Sequence, residues 1–335
     1  MAHGRFDNPV IASLAGVKDF FSKQKLEDQL KDTDRADGKT CVITGANSGL
    51  GYGLAVEMAK RGARVIMACR SQIPEAGEKV IAASGSQSVE MIHLDLSKID
   101  SIHQFVETLE KKKIHPDITI LNAGVALPGA RKTASGQEEM FLVNYLSNFI
   151  LLNLMLANKT IRQDLAINQQ PRVIFISSDS HQGSSNIDFE IFGKYEDYGV
   201  SKGISYYSYY KFVLNTLAVE FSRRINKKEI KVIMDVICPG PVHTNIIREA
   251  PWALRKILGG IFSLVFRSPE VAAKPVVYMS LSKDYENKTA EYLHMFNPKE
   301  MDPKVYLPEE GAKLWYYSQR LWKEIDEKAI EVKFN

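Results

Sequence analysis

A glycine-rich turn at residues 44–51 has the composition of a phosphate-binding loop. Its sequence, Thr-Gly-Ala-Asn-Ser-Gly-Leu-Gly, spaces the glycines as GxxxGxG between an apolar, β-branched run and a helical run. Gly45 allows a sharp turn from strand to helix, and Gly49 lets the backbone approach a pyrophosphate at the start of the helix. A glycine-rich turn can be purely structural, but this position indicates a dinucleotide site. Its expected cofactor-binding residues are Gly45, Asn47, Ser48, Gly49, Leu50 and Gly51.

The end of the second predicted strand indicates which dinucleotide is bound. Enzymes that use NAD usually carry an acidic residue here for the ribose 2′-hydroxyl, whereas an arginine accommodates the 2′-phosphate of NADP. This strand ends Ala-Cys-Arg-Ser at residues 68–71, without an acid. A guanidinium matches phosphate geometry through paired hydrogen bonds. Arg70 and Ser71 therefore favour NADP(H) over NAD(H), with a plain surface charge at Arg70 as the alternative.

Short apolar runs alternate with amphipathic helical runs along most of the chain. The predicted strands lie at 39–44, 63–70, 88–94, 117–124, 171–178, 230–237 and 291–296. The clearest predicted helices lie at 50–61, 74–83, 98–112 and 136–158. Near-continuous apolar strands separated by helices are typical of a parallel sheet covered on both faces. The sequence therefore predicts an α/β protein with a doubly wound Rossmann fold and a parallel sheet of about seven strands.

The same pattern divides the chain into three parts. A Rossmann-type catalytic domain is expected at 39–300, with an apolar lid around 245–268. The part before it, 1–38, has apolar groups at roughly helical spacing and is expected to be an amphipathic extension. The part after it, 301–335, is expected to be a helical extension with an amphipathic helix at 308–330.

From about residue 38 to at least 244, the chain resembles the short-chain dehydrogenase/reductase family. The family's aspartate on the adenine side is matched by Asp95, and its Asn-Ala-Gly element is matched at 122–124, with Leu121 in place of a second asparagine. Its Pro-Gly-x-Val-x-Thr element is matched at 239–244. The resemblance implies further cofactor-binding residues, namely Asp95, Leu96, Asn122, Ala123, Gly124, Pro239, Gly240, Val242 and Thr244.

The resemblance also implies a catalytic set of asparagine, serine, tyrosine and lysine. The asparagine on a helix is matched by Asn144, and the serine at the end of a strand is matched by Ser178. Each of these residues has an ordinary structural interpretation when it is taken alone. Their occurrence in the family's order, on the expected elements, is what favours a catalytic role.

The tyrosine and lysine of this set have two candidate positions, at 198–202 and 207–211. The first pair matches the family text better, because a serine precedes its lysine. Gly203, however, is a poor start for a helix directly after the first pair, whereas a long amphipathic run without a breaker follows the second. We therefore choose the second pair, Tyr207 and Lys211, and keep the first as the alternative.

The chosen residues have roles that follow from their chemistry. An i, i+4 spacing places Tyr207 and Lys211 on one face of a helix. A free phenol has a pKa near ~10, and a nearby ammonium is expected to lower it, so that the tyrosine can exchange a proton with the substrate. The resemblance implies that the lysine also binds the nicotinamide ribose and that Tyr207 and Lys211 both take part in cofactor binding. It also implies that Ser178 donates to the carbonyl oxygen and that Asn144 holds a water.

Two segments near the site indicate the type of substrate. Residues 182–205 form a polar stretch between the serine and the tyrosine, and an apolar run occupies 252–266, where the family places a lid over the substrate. With the sequences TGANSG and ACRS, this long stretch resembles the retinol-dehydrogenase-like branch of the family. The resemblance implies a lipophilic alcohol or carbonyl substrate. An apolar lid also fits a subunit interface.

The sequence contains no run of about eighteen apolar residues, which a membrane-spanning helix needs. Its N-terminus also lacks the charged and apolar regions of a signal peptide. We therefore expect a cytoplasmic protein. Residues 10–30 and 252–266 fit either peripheral contact with a membrane surface or packing against protein.

Charge and cysteine content exclude other classes of site. Lys and Arg number 43 against 40 Asp and Glu, and the net charge of +3 is too small and dispersed for nucleic-acid binding. The three cysteines are widely spaced in apolar segments, which indicates buried thiols rather than a disulfide or metal site. His181 and His243 have no ligand cluster around them and are interpreted as bystanders. The family's usual assembly through two long central helices implies a homo-oligomer.

The complete set of residues favours an NADP(H)-dependent oxidoreductase that transfers a hydride between nicotinamide and an alcohol or carbonyl group. A catalytically idle NADP(H)-binding sensor or scaffold is one alternative, but it has no need of Tyr207 and Lys211 together. A double-bond reductase on the same fold is another, because light-dependent protochlorophyllide reductase also uses a Tyr/Lys pair.

Overall fold

A computed structural model describes residues 29–332 and 334, apart from 167 and 241–267. The backbone of Ser201 is described, but not its side chain. Most of the expected N-terminal extension, nearly all of the expected lid and the whole apolar run at 252–266 therefore lie outside the described residues.

The apolar, β-branched runs form one eight-stranded sheet within the described residues. Its strands are β1 (Thr40–Thr44), β2 (Arg64–Cys69), β3 (Val89–His93), β4 (Ile118–Leu121), β5 (Arg172–Ile176), β6 (Ile233–Cys238), β7 (Tyr292–His294) and β8 (Asn297–Pro298). The order across the sheet is β3-β2-β1-β4-β5-β6-β7-β8, and only the last pair is antiparallel. The prediction of a doubly wound parallel sheet is confirmed, and the two-residue strand β8 adds an eighth strand to the seven expected.

The helices cover both faces of this sheet. They are α1 (Gly49–Lys60), α2 (Glu75–Ser84), α3 (Ile99–Lys111), α4 (Glu139–Ala157), α5 (Val200–Ile225), α6 (Pro269–Leu281) and α7 (Pro308–Ile325). One apolar core lies under α1, α2 and α6, and the other lies under α3, α4, α5 and α7. Because β4, β5 and β6 are buried along their whole length, their sequences are apolar almost without interruption. The three cysteines are free and buried, Cys238 in the second of these cores and Cys41 and Cys69 in the first.

Helix α4 crosses the centre of the second core. Among the described residues it is the one helix long and apolar enough to cross a membrane, with a mean hydropathy of 1.7. However, 94% of that apolar window is buried inside the protein. The helix therefore has the properties of a central core helix, which passes the same test of length and composition.

Helix α7 packs against the two central helices of the same chain. Trp315 lies 5.0 Å from Phe149 on α4 and 4.9 Å from Phe221 on α5, measured between ring centres. At the end of α7, Asp326 accepts hydrogen bonds from Trp322 at 2.6 Å and from the His103 ring on α3 at 2.8 Å. The C-terminal helix is thus fixed to the domain by apolar burial along its length and by a buried carboxylate at its end.

The start of α5 differs from the expectation. Gly203 was expected to disfavour a helix, but α5 begins at Val200 and includes it. A side chain at Gly203 would bring Cβ within 2.6 Å of the main-chain oxygen of Leu127. Because only glycine permits this close approach, close packing of the helix on the loop after β4 outweighs the low helix propensity of the residue.

A buried carboxylate lies in the middle of β6. Asp235 has no exposed surface; its Oδ1 accepts the Glu291 N–H at 3.0 Å, while Oδ2 has no partner among the described residues. Burial raises the pKa of Asp235 from 3.8 to about 7. The folded chain therefore holds a proton that the unfolded chain releases, and the protein loses stability as the pH rises between these two values.

We predict that Asp235→Asn raises the melting temperature more at pH 8 than at pH 5. Asparagine has the shape of the protonated acid but needs no proton, so the gain at pH 8 should exceed the gain at pH 5 by roughly 2 to 3 kcal/mol. Thermal unfolding at the two pH values measures the difference. The exposed Asp32→Asn is the matched control and should have no effect. An equal shift at both pH values would contradict this account.

Candidate active site

The glycine-rich turn lies between β1 and α1 in a conformation that needs glycine. Gly45 and Gly49 have positive φ angles of 65° and 53°. A Cβ at Gly51 would overlap the main-chain oxygen of Gly45, and it would lie 2.5 Å from the Asn122 amide. Helix α1 carries no acid in its first turn, and its N-cap Ser48 makes no capping bond. The Ser48 side chain therefore leaves the first N–H groups of α1 uncapped. A phosphate site at the start of a helix requires such uncapped N–H groups.

The end of β4 is bonded to the glycine-rich turn. Asn122 donates to the main-chain oxygens of Thr44 at 2.9 Å and of Gly45 at 3.2 Å. In return, the Thr44 hydroxyl accepts the N–H groups of Asn122 and Ala123, each at 3.0 Å. Leu121, the departure from the family's second asparagine, is buried as the last residue of β4. These bonds hold the end of β4 against the glycine-rich turn that follows β1.

The residues expected at the adenosine end lie after β2 and β3. Asn47 donates to the hydroxyl of Ser71 at 3.4 Å, and Arg70 beside it is exposed. Asp95 follows β3 and accepts hydrogen bonds from the Ser97 hydroxyl at 2.7 Å and the Ser97 N–H at 3.1 Å. Burial acts to raise the pKa of Asp95, but these bonds and nearby positive charges hold it below its usual value. The buried residue after it, Leu96, packs into the core.

The Pro-Gly element is described only in part. Pro239 and Gly240 follow β6, and Gly240 has a φ of 81°. Val242, His243 and Thr244 lie outside the described residues. The expected contacts of these three residues with the cofactor therefore stay predictions.

Lys211 lies buried on α5, beside the end of β5. Its Nζ donates to the main-chain oxygen of Ile176 at 2.7 Å and lies 5.7 Å from the ring centre of Tyr207. A Cβ at Gly124 would lie 3.8 Å from this Nζ and 3.2 Å from Oδ1 of Asn144. Burial lowers the pKa of Lys211 to about 8, because the ammonium loses its hydration. Helix α5 and the ends of β4 and β5 thus bring the predicted lysine, asparagine and glycine together.

Tyr207 is half-buried, and its hydroxyl makes no hydrogen bond among the described residues. The sequence argument expected the Lys211 ammonium to lower the pKa of this phenol. In the structure, burial raises the pKa of Tyr207, and the neighbouring Cys238 raises it further. The expected lowering of the Tyr207 pKa is therefore wrong. The Lys211 ammonium lies 5.7 Å from the ring centre of Tyr207 and donates its hydrogen bond to Ile176 instead.

Ser178 lies two residues beyond β5 and begins a short 3-10 helix, Asp179–Gly183. Its hydroxyl oxygen accepts hydrogen bonds from the Ser180 N–H at 3.3 Å and the Ser180 hydroxyl at 3.0 Å. Because both bonds use its acceptor capacity, the Ser178 hydroxyl proton can still be donated. The preceding residue, Ser177, is buried.

Asn144 lies in a π-helical turn of α4, Leu142–Leu146. Its amide oxygen accepts the Val125 N–H and its amide nitrogen donates to the Val125 oxygen, both at 2.8 Å. The amide group thus fixes the loop after Gly124, and the expected water-holding role of Asn144 stays a prediction. A π-turn frequently occurs at functional sites because it re-aims a helical side chain.

The chain is similar to known dehydrogenases over most of its length. The family model for short chain dehydrogenase matches residues 39–188. Retinol dehydrogenase 13 from Mus musculus is 31% identical over 291 residues, which are 85% of this chain and 84% of that protein. Polyprenol dehydrogenase from Homo sapiens is 30% identical over 269 residues, 78% of each chain. The chain belongs to the short-chain dehydrogenase/reductase family.

This family member is also retinol-dehydrogenase-like, as the resemblance had implied, and it is an oxidoreductase. Its fold agrees with a solved structure, that of an uncharacterized protein from Mycobacterium Paratuberculosis. The two are 26% identical with a TM-score of 0.67, and the match covers 88% of this chain and 96% of the other.

The alternative tyrosine of this dehydrogenase/reductase is engaged elsewhere. Tyr198 precedes α5, donates to the buried carboxylate of Glu138 at 2.9 Å and stacks on Tyr206 with ring centres 4.3 Å apart. Lys202, its partner in sequence, is exposed. The structure therefore places the first Tyr/Lys pair outside the cluster formed by Gly124, Asn144 and the second pair.

His181 was interpreted as a bystander, and the sequence argument did not foresee its contact with Ser178. It is fully buried, and its ring bonds the main-chain oxygen of Ser178 at 2.8 Å. The available signal was its position three residues after a strand-end serine, where a side chain can reach back over a single turn. His243, the other bystander, lies outside the described residues.

We predict that Tyr207→Phe lowers kcat by about a hundredfold or more, because the substrate loses its proton donor. The dissociation constant for NADPH should stay unchanged, since the phenylalanine keeps the aromatic ring of residue 207 in the same place. Steady-state rates and fluorescence titration with NADPH measure the two quantities.

Tyr198→Phe is the matched control for that variant. It should keep turnover but lose about 1 to 2 kcal/mol of stability, because Glu138 loses a buried donor. If Tyr198→Phe abolished turnover and Tyr207→Phe did not, the assignment of the pair would be wrong.

Proposed function

We propose that this dehydrogenase/reductase transfers a hydride between NADP(H) and an alcohol or carbonyl group of a lipophilic substrate. The main observation that supports this proposal is the cluster at the ends of β4 and β5, where Lys211 lies beside Tyr207 and Gly124. A phenol and an ammonium on one helical face, with Ser178 two residues beyond the end of β5, supply the groups that such a proton transfer needs.

The residues of the glycine-rich turn fit a dinucleotide. The turn leaves no room for a side chain at Gly51, and Ser48 leaves the first N–H groups of α1 uncapped. A pyrophosphate supplies the negative charge that this helix start favours. When bound, NADP(H) supplies the hydride of the reaction.

Two side chains would then act on the substrate oxygen, and a third would support the proton transfer. Ser178 donates a hydrogen bond to this oxygen and stabilises the negative charge that develops during reduction. Tyr207 gives the proton to this oxygen in reduction or removes it in oxidation. The Lys211 ammonium balances the negative charge left on the phenolate after reduction, and its pKa of about 8 lets it supply the replacing proton near neutral pH. Asn144 holds the loop that carries Gly124 against the lysine.

Arg70 supports NADP(H) over NAD(H). Its guanidinium is exposed at the end of β2, and Asp95, which is close enough to feel its charge, already accepts two hydrogen bonds from Ser97. A 2′-phosphate would pair with this cation, with Ser71 beside it as a further donor.

We predict that Arg70→Gln weakens NADPH binding about ten- to a hundredfold and leaves NADH binding unchanged. The reason is the loss of a charge-assisted hydrogen bond to phosphate, worth roughly 1.5 to 3 kcal/mol. Fluorescence titration with both cofactors measures the ratio. Arg64→Gln, at the other end of β2, is the matched control. Equal weakening for NADPH and NADH would contradict the phosphate role of Arg70.

A lipophilic substrate is supported by the names of the relatives, retinol dehydrogenase and polyprenol dehydrogenase. The apolar run at 252–266 is the expected lid over such a substrate. It is also the expected site of peripheral contact between a cytoplasmic protein and a membrane surface, together with residues 10–30.

We predict that kcat/KM with NADPH rises with the apolar length of the substrate, from short polar aldehydes to retinal and prenyl aldehydes. Each buried CH₂ is worth about 0.8 kcal/mol, so the series should span more than a hundredfold. Loss of NADPH absorbance measures the rates, and product analysis shows which bond was reduced.

The same panel separates the alternatives. Tight NADPH binding without turnover of any member would favour the idle sensor or scaffold. Reduction of a carbon–carbon double bond in place of the carbonyl would favour the double-bond reductase. Equal rates with polar and apolar aldehydes would contradict the lipophilic substrate.

From the family resemblance, we propose that the protein forms a homo-oligomer through α4 and α5. In this chain, Trp315 and Trp322 of α7 pack on Phe149 of α4, and Trp315 also packs on Phe221 of α5. A partner would therefore bind the surface that α7 leaves open, or bind α7 itself.

A further inference from the structure

The 3-10 helix that begins at Ser178 is held by a distant part of the chain. We name residues 178–184 the serine turn and residues 299–304, which follow β8, the C-terminal brace. The two bond at four points: Lys299 Nζ to Asp179 Oδ2 (2.6 Å), the Asp302 N–H to His181 Nε2 (3.3 Å), Gln182 Nε2 to the Glu300 oxygen (2.8 Å) and Lys304 Nζ to the Ser184 oxygen (2.6 Å). Four of the seven residues of the serine turn are thus bonded to the C-terminal brace.

His181 occupies the centre of this contact. Its Nδ1 lies 2.8 Å from the main-chain oxygen of Ser178, and its Nε2 lies 3.3 Å from the N–H of Asp302. The side chain has no exposed surface, and its ring meets the ring of Tyr292 edge-on, with centres 5.3 Å apart. The imidazole therefore bridges the serine turn and the C-terminal brace.

The partners of the ring determine its protonation. A carbonyl oxygen faces Nδ1, so Nδ1 must carry a hydrogen, while an N–H faces Nε2, so Nε2 must accept. A second proton would place two donors against each other at Asp302. Burial acts in the same direction and lowers the pKa of His181 to about 4. The ring is therefore neutral, with its hydrogen on Nδ1.

We propose that His181 is a positioning residue of the reaction, which fixes the main chain of Ser178 so that the serine hydroxyl is aimed at the substrate oxygen. This inference rests on the proposed function. The hydrogen bond from His181 goes to Ser178 itself, and the other end of the ring is anchored on the C-terminal brace. A serine that drifts by about 1 Å costs on the order of a hundredfold in rate.

The experiment compares substitutions that keep or remove one ring nitrogen. His181→Asn places an amide nitrogen where Nδ1 lies and can still donate to Ser178. His181→Phe keeps the ring volume but removes both hydrogen bonds. We expect kcat to fall roughly ten- to a hundredfold in the phenylalanine variant and to recover largely in the asparagine variant. The KM and dissociation constant for NADPH should be unchanged in both.

His103→Phe is the matched control, because His103 is also a buried histidine with a polar partner, Asp326. It lies on α3, outside the serine turn and the C-terminal brace. Loss of a bond in the core should lower its melting temperature without changing kcat. Wild-type kcat in His181→Phe, or an equal fall of kcat in His103→Phe, would overturn the positioning role.

A second measurement does not depend on activity. Nitrogen-15 NMR of the wild-type protein, labelled at histidine, distinguishes the two neutral tautomers. We expect His181 with its hydrogen on Nδ1, and a hydrogen on Nε2 would overturn the bridge even if the phenylalanine variant failed to fold. If the wild type turned over no carbonyl, the proposed function would fail and the catalytic part of this inference with it. The tautomer of His181 would still show whether its ring bridges the serine turn and the C-terminal brace.

Discussion

A buried ammonium that lacks a carboxylate among the described residues is the constraint on which the site depends. Lys211 loses most of its hydration, and only the main-chain oxygen of Ile176 is seen to accept from it. Burial of a charge costs on the order of several kcal/mol unless hydrogen bonds or opposite charge replace the water. The face of the lysine near Gly124 and Tyr207 is where further acceptors can be added. Cofactor hydroxyls bound there would stabilise the charged lysine, so binding and protonation are coupled.

The strand order explains why residues far apart in sequence meet at this lysine. Since β1 and β4 are neighbours and the chain winds away from them in opposite directions, a crevice opens at their carboxyl ends. Gly45 follows β1, Gly124 follows β4 and Ser178 follows β5, so all three lie at this edge of the sheet. Lys211 reaches the same edge from α5, and Asn122 fixes the crevice by its bonds to the glycine-rich turn.

Features that depend on local spacing could be predicted from the sequence, and features made by distant contacts could not. The glycine-rich turn and the parallel sheet follow from patterns a few residues long. Tyr207 was preferred over Tyr198 partly for a wrong reason, since Gly203 lies inside α5; the contact that engages Tyr198 is with Glu138, 60 residues away. His181 was interpreted as a bystander because the brace residue whose N–H donates to its ring, Asp302, is 121 residues distant. Spacing rules do not report such contacts.

The C-terminal part of the chain contacts the elements that carry the proposed catalytic residues. The C-terminal brace holds the serine turn, and α7 directly after it packs through Trp315 on α4 and α5, the helices that carry Asn144, Tyr207 and Lys211. The glycine-rich turn depends on the other face, where Gly53 of α1 lies against the main chain at the start of α6. Segment 299–325 therefore packs on the elements that carry the asparagine, the serine, the tyrosine and the lysine, while the glycine-rich turn packs in the other core. The two ends of the site are thus supported from opposite faces of the sheet.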